Sequence, residues 1–372
     1  MNDRLKVVED LVANPWYQLS TAGHELFHTN MLYWLARQHA EGSEAIWDLL
    51  AVDAPTDSSK YRIRREWKHV DLFVDAGPGQ RKLVLENKVG AIPTVGQLSA
   101  YRVTLLRDHA FDDERTSWRL LSLLPPTFSL PAPWRPVNYA DLLPAIEAAS
   151  TKLDGAARHV VAGYSSLVRQ LVTLRDKIDP LAELNSPMFL DAGEKEVLHE
   201  GRLLALVLKM QMSRCAEVLN AGIDGLLTGP RPKVVANFSR GEGLVEWLVP
   251  GPRGRHFGWQ AQGRQFRLVG ITSDQDPRAR SQREQLMDLD HESYFNFDLP
   301  DGLAGLLNPY RGQKVWLGYE PDFVYRYATL KPDITWRQFM DLATWFTSAA
   351  HSYASTNGVL PVCGCGRCAA AI

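Results

Sequence analysis

Residues 68–89, KHVDLFVDAGPGQRKLVLENKV, constrain the fold of this 372-residue chain more than any other stretch. Val70, Leu72 and Val74 alternate with Asp71, Phe73 and Asp75, which predicts a strand over 68–75. The turn formers of AGPGQR, 76–81, lead into a second strand over 82–89, so an antiparallel hairpin is the economical reading. The second strand begins as a buried run, Leu83-Val84-Leu85, and ends in Glu86 and Lys88 before any turn signal. Side chains two apart in a strand project from one face, so Glu86 and Lys88 share a side while Leu85 and Asn87 take the other. With Asp71 on the partner strand, two carboxylates come within reach of each other and require a counter-charge. A hard divalent cation, Mg²⁺ or Mn²⁺, supplies it, because these ions take one or two carboxylates and keep much of their water. A lysine beside such an ion can orient an attacking water and offset phosphate charge.

The elements around the hairpin follow from periodicity. A helix is predicted over 24–40, HELFHTNMLYWLARQHA, with Leu26, Phe27, Met31, Trp34 and Leu35 near helical spacing. Pro93 and Thr94 introduce another helix over 94–107, and SWRLLSLLPP at 117–126 reads as a third strand stopped by prolines. PAPWRP, 131–136, reads as a turn-rich connector, followed by helices over 139–149 and 156–178. Beyond Pro187 the pattern changes to a long helix over 194–220, then strand-like segments rich in Gly, Arg and aromatics, then a last helix over 335–355. The length also suggests two domains. The boundary is placed near 185, giving domains 1–185 and 186–372, the second an α+β domain without an assigned role.

Composition excludes several classes. Apolar residues at 45% and charged ones at 23% are the balance of a globular protein, not a disordered one. A net charge of −2 excludes a histone-like basic excess while leaving room for a local basic groove. The N-terminus has no signal-peptide pattern and no stretch reaches a membrane-spanning length, so a cytoplasmic protein with no membrane partner is expected. Four cysteines make a poor disulfide framework for so long a chain, and reduced thiols are expected.

Asp71, Glu86-Asn87-Lys88 and Gln97-Leu98-Ser99-Ala100-Tyr101, in that order, resemble the PD-(D/E)XK nuclease superfamily, which has a restriction-endonuclease-like fold. The resemblance covers roughly residues 20–180. Val70 stands where the nominal motif has proline. The resemblance implies an α/β fold in which a mixed sheet is flanked by helices, and a metal-dependent nuclease acting on nucleic acid, with DNA the expected substrate. It implies Asp71 and Glu86 as Mg²⁺ or Mn²⁺ ligands, Lys88 as the catalytic cation, and Glu25, from the preceding helix, as a further ligand or catalytic acid. Gln97 and Tyr101, four apart on one helix face, resemble the Gln-x-x-x-Tyr of RecB-like nucleases, which supports the site and contacts substrate. Defence against foreign DNA and DNA repair are the settings such proteins serve. A fold that binds nucleic acid or a partner without cleaving is the alternative, and homo-oligomerisation is left open.

Each candidate also has a plainer reading. Glu86 and Lys88 could be a solvated ion pair on an edge strand, and Asp71 an exposed strand residue. Glu25 could serve only its helix N-terminus, and Glu66 is a competing acid. His24 and His28 stand four apart, but no motif completes a zinc site with them. The tail CGCGRC (Cys363, Cys365, Cys368) either holds zinc with Cys215 or His351 or carries free thiols, and its single C-x₂-C favours thiols. The basic runs Tyr61–Arg65 and Arg278–Arg280 could track phosphates or be loop charges. The aromatics of the second half are expected mainly in the core.

Overall fold

A computed structural model describes residues 2–39, 42–51, 62–75, 77, 80–109, 111–223, 232–250, 256–271, 297–309, 317–319 and 323–356. The Cys363–Cys368 tail, Tyr61 and the Arg278–Arg280 run lie outside these. The chain divides into two compact units. The first comprises 1–126, 130–178 and 197–210; the second comprises 127–129, 179–196 and 211–372.

The first unit is built on a mixed sheet in the order β1 (Arg62–Trp67), β2 (Val70–Asp75), β3 (Lys82–Lys88), β4 (Thr116–Ser122), β5 (Arg135–Asn138). β1–β2 and β2–β3 are antiparallel, while β3–β4 and β4–β5 are parallel. Its helices are α1 (Asn2–Ala13), α2 (Pro15–Ser20), α3 (His24–Gln38), α4 (Glu44–Leu49), α5 (Val95–His109), α6 (Tyr139–Lys152) and α7 (Gly155–Lys177). The parallel step from β3 to β4 requires a crossover, and α5 provides it. β3 lies at the centre of the sheet and is buried over five consecutive residues, which is why Leu83-Val84-Leu85 reads as a continuous apolar run.

The hairpin and its flanking helices lie where periodicity puts them, and the mixed α/β architecture is the expected one. Two strands differ from the sequence reading. Arg62–Arg65, read as a phosphate-tracking run or loop charges, form most of edge strand β1, where outward charge suits an exposed edge. The end of PAPWRP, read as connector, enters edge strand β5; Pro136 is tolerated there because an edge strand can forgo one ladder donor.

The second unit holds an antiparallel sheet in the order β10 (Leu307–Pro309), β12 (Phe323–Leu330), β9 (Gln265–Ile271), β8 (His256–Gln262), β7 (Glu242–Pro250), β6 (Val235–Ser239), with β11 (Leu317–Tyr319) also paired to β12. α10 (Asp301–Ala304) precedes β10, and α11 (Trp336–Thr356) packs on β7 and β8. Trp247 and Trp259 are fully buried. Trp259 donates to Thr347 Oγ1 of α11 at 2.8 Å and stacks on Phe266, so these tryptophans are core, as composition suggests. α8 (Ala192–Glu200) and α9 (Leu204–Ile223) complete the described elements. Among the described residues no helix is long and apolar enough to cross a membrane.

Candidate active site

The β2–β3 register pairs Leu72 with Leu85 and Phe73 with Val84. One further step sets Asp71 opposite Glu86, and opposite residues of an antiparallel pair project to the same face. Asp71 Oδ2 accepts the Asn87 amide hydrogen at 2.6 Å. Lys88 Nζ lies 2.8 Å from Glu86 Oε1, with the Glu86 side chain 1% exposed and that of Lys88 13%. A solvated edge pair is therefore excluded, since β3 is central and Glu86 is sealed from water.

Burying a carboxyl beside another is electrostatically unfavourable, and the protonation equilibria record it. Burial, reinforced by the Asp71 charge, pushes Glu86 up to about 8, against the opposing pull of Lys88. Asp71 is also raised by burial, although the bond from Asn87 N–H works against the rise. Burial pulls Lys88 down, but Glu86 and Asp71 outweigh it and leave the ammonium favoured. Two neighbouring carboxyls whose protonation is displaced toward neutrality, with a retained cation beside them, make this cluster a candidate functional site.

α5 supplies the next layer. Thr94 Oγ1 accepts the Gln97 amide hydrogen at 3.3 Å and starts the helix. One turn in, Gln97 Nε2 donates to Glu86 Oε1 at 3.0 Å and to Tyr101 Oη at 2.7 Å. Glu86 Oε1 thus receives both Lys88 and Gln97, whereas Oε2 is buried with no protein donor. Burial raises Tyr101, keeping its hydroxyl protonated.

α3 brings Glu25 to the end of β3. Its Oε1 accepts the amide hydrogens of Gly90 and Ala91 at 3.0 and 2.9 Å. Its charge also contributes to raising Asp71 and Lys88. Glu66, the competing acid, is exposed in β1 at φ 48.

The residue between the motif positions proves as constrained as they are. Asn87, fully buried on the opposite face of β3, donates to the Glu25 carbonyl and to Thr29 Oγ1, both at 3.1 Å. Its Oδ1 accepts from Tyr139 Oη at 2.7 Å. Tyr139 is in turn coupled to Tyr164, whose hydroxyl lies 3.0 Å from His28 Nδ1. Asn87 therefore ties α3 and α6 to β3 and fixes the backbone of Glu25. Sequence reasoning assigned no part to Asn87, Thr29, Tyr139 or Tyr164; the available signal was a polar residue on the inward face of an otherwise apolar strand. His28 is fully buried and lowered by that burial to about 3, so it is neutral, and His24 stacks on Tyr17. The two histidines do not converge on a zinc site.

Among the described residues no group of three or more His, Cys, Asp and Glu side chains is arranged to hold a metal by itself. Mg²⁺ and Mn²⁺ do not demand such a cage, because one or two carboxylates plus water suffice. The paired carboxyls of Asp71 and Glu86, with the donor-less Glu86 Oε2, fit an ion of that kind.

Sheet order, flanking helices and the Asp71–Glu86–Lys88 arrangement together define a restriction-endonuclease-like domain. Comparison with family models agrees: residues 13–152 match the model of the PD-(D/E)XK nuclease superfamily, so this part of the chain is similar to that superfamily. Members of that superfamily are in general nucleases that typically use divalent metals, and the match suggests nuclease-type function. Comparison with curated proteins and with solved structures found no match.

Proposed function

We propose that this protein hydrolyses phosphodiester bonds in DNA, using Mg²⁺ or Mn²⁺ held by Asp71 and Glu86. The observation carrying this reading is the environment of Glu86: a sealed carboxyl facing a second one, beside an ammonium, with one oxygen, Oε2, that has no protein donor. A purely structural core would replace such a group with an apolar side chain at lower cost. An ion held by Asp71 and Glu86 would supply Lewis-acid chemistry, polarising a phosphate oxygen and lowering the pKa of a water so that it is more readily deprotonated to the attacking hydroxide. Lys88 is placed to orient that water and to offset charge developing on the phosphate. Gln97 and Lys88 occupy Glu86 Oε1, leaving Oε2 for the ligand. Glu25 is the candidate third acid, and Tyr101, held by Gln97, is the candidate substrate contact.

The test is cleavage of single- and double-stranded DNA, with RNA in parallel, in Mg²⁺ or Mn²⁺ and in excess chelator. Metal-dependent cleavage that Asp71→Asn abolishes is the expected result. Cleavage that persists in chelator removes the site as drawn. Metal binding and nucleic-acid binding without any cleavage would favour the non-cleaving alternative.

A further inference from the structure

The turn after Lys88 is held by a residue far outside the family-matched segment. Lys209, on α9 and 119 positions from Gly90 in sequence, donates its ammonium to the Gly90 carbonyl oxygen. The same peptide group carries the Ala91 amide hydrogen, which Glu25 Oε1 accepts at 2.9 Å. One peptide plane is therefore gripped at its oxygen by a cation and at its hydrogen by an anion, and the Gly90 amide adds a second bond to the same carboxylate oxygen. Charge-assisted bonds of this kind are about twice as strong as neutral ones and fix orientation as well as position. On the preceding side, the Lys88 carbonyl accepts from Leu123 N–H at 2.8 Å.

The start of α9 is itself anchored. Tyr17, which stacks on His24 next to Glu25, donates to the Gly201 carbonyl at 2.7 Å in a buried bond, and Leu203 and Val207 are fully buried. Lys209 thus stands two residues beyond a packed turn, where the placement of its stem is set by the helix. Burial lowers its proton affinity while the Glu25 charge opposes that change, as expected of an ammonium working at close quarters with that carboxylate.

We infer that Lys209 is a positioning residue of the active site, clamping the Gly90–Ala91 peptide so that Glu25 and Lys88 keep their places beside Asp71 and Glu86. The inference rests on the nuclease reading, and it makes the competence of the 13–152 segment depend on α9.

The test compares full-length wild type, Lys209→Met and Lys209→Gln in three measurements: Mn²⁺ affinity by calorimetry, steady-state cleavage, and amide hydrogen exchange of 89–92. Loss of the clamp is expected to weaken Mn²⁺ binding or kcat about 10-fold, the scale seen when groups orienting metal ligands are removed. KM for nucleic acid should stay unchanged, and exchange at Gly90 and Ala91 should accelerate. A rise in KM with kcat and Mn²⁺ affinity unchanged would overturn the inference, since Lys209 would then be a phosphate contact. Unchanged values in all three would overturn it too. Where the methionine variant is unfolded, the glutamine variant, which keeps a polar donor at this half-buried position, is judged by the same outcomes. If wild type cleaves nothing, the nuclease reading fails, but Mn²⁺ affinity and exchange still decide the role of Lys209.

Discussion

Glu86→Gln should stabilise the metal-free protein, and by an amount that depends on pH. Glutamine is the neutral isostere of the protonated acid: its oxygen can still accept from Lys88 and Gln97, and its amide can donate to Asp71. Glu86 is raised by burial and the Asp71 charge from its ordinary 4.5 to about 8. Between those values the folded protein holds a proton that the unfolded chain has released, so wild-type stability falls as pH rises through the window and levels off above it. At 1.36 kcal/mol per unit, the full offset amounts to about 5 kcal/mol. The variant carries no such titration. Its advantage should therefore be near zero around pH 4.5, reach roughly 3 kcal/mol at pH 7, and approach a plateau of about 5 kcal/mol above pH 8. Urea unfolding at several pH values in chelator measures it, with both proteins compared on the transition of the first unit. Adding Mn²⁺ at 100 times its Kd should return about 2.7 kcal/mol to wild type and nothing to the variant. A stability difference that is flat between pH 5 and 9 would refute the argument, because it would mean that Glu86 titrates alike in the folded and unfolded chain.

Lys88→Ala should keep Mn²⁺ binding by calorimetry while cleavage falls on the order of 100-fold or more, since its charge acts chiefly in the transition state. Asn87→Ala should cost about 3 kcal/mol in urea unfolding, because it removes three hydrogen bonds of a buried side chain, to the Thr29 and Tyr139 hydroxyls and the Glu25 carbonyl. A chain ending at 185 lacks Gly201, Leu203 and Lys209, so it should melt several degrees below one ending at 223, a difference scanning calorimetry can read.

Local sequence made the centre of the first unit legible because its information is local. The alternation of 70–75, the turn formers and the apolar run of 83–85 specify a hairpin, and a strand period of two places Glu86 and Lys88 together without any knowledge of the rest. The edge strands were harder for a physical reason. β1 is written in arginines and β5 contains a proline, and both features mark loops unless the strand lies at an edge, which only the assembled sheet reveals. The partners of Asn87 were illegible for a similar reason. Tyr139 and Thr29 are 52 and 58 positions away in sequence, and no periodicity connects such positions.

The middle residue of Glu86-Asn87-Lys88 explains why a charged pair can stand inside a core. A strand alternates faces, so any strand that carries Glu86 and Lys88 toward Asp71 must turn the residue between them to the opposite face. An apolar residue there would pack, yet it would leave α3 free to slide along the sheet, and with it Glu25. Asn87 instead has an amide that donates twice to α3, a carbonyl that accepts from Tyr139 of α6, and a backbone N–H that holds Asp71. One residue thereby sets the position of the opposing carboxylate on β2 through its main chain and of the helical acid through its side chain. The unfavourable pairing of Asp71 with Glu86 persists because its geometry is determined from both faces of the strand at once, and relaxing it would break buried hydrogen bonds on the far side.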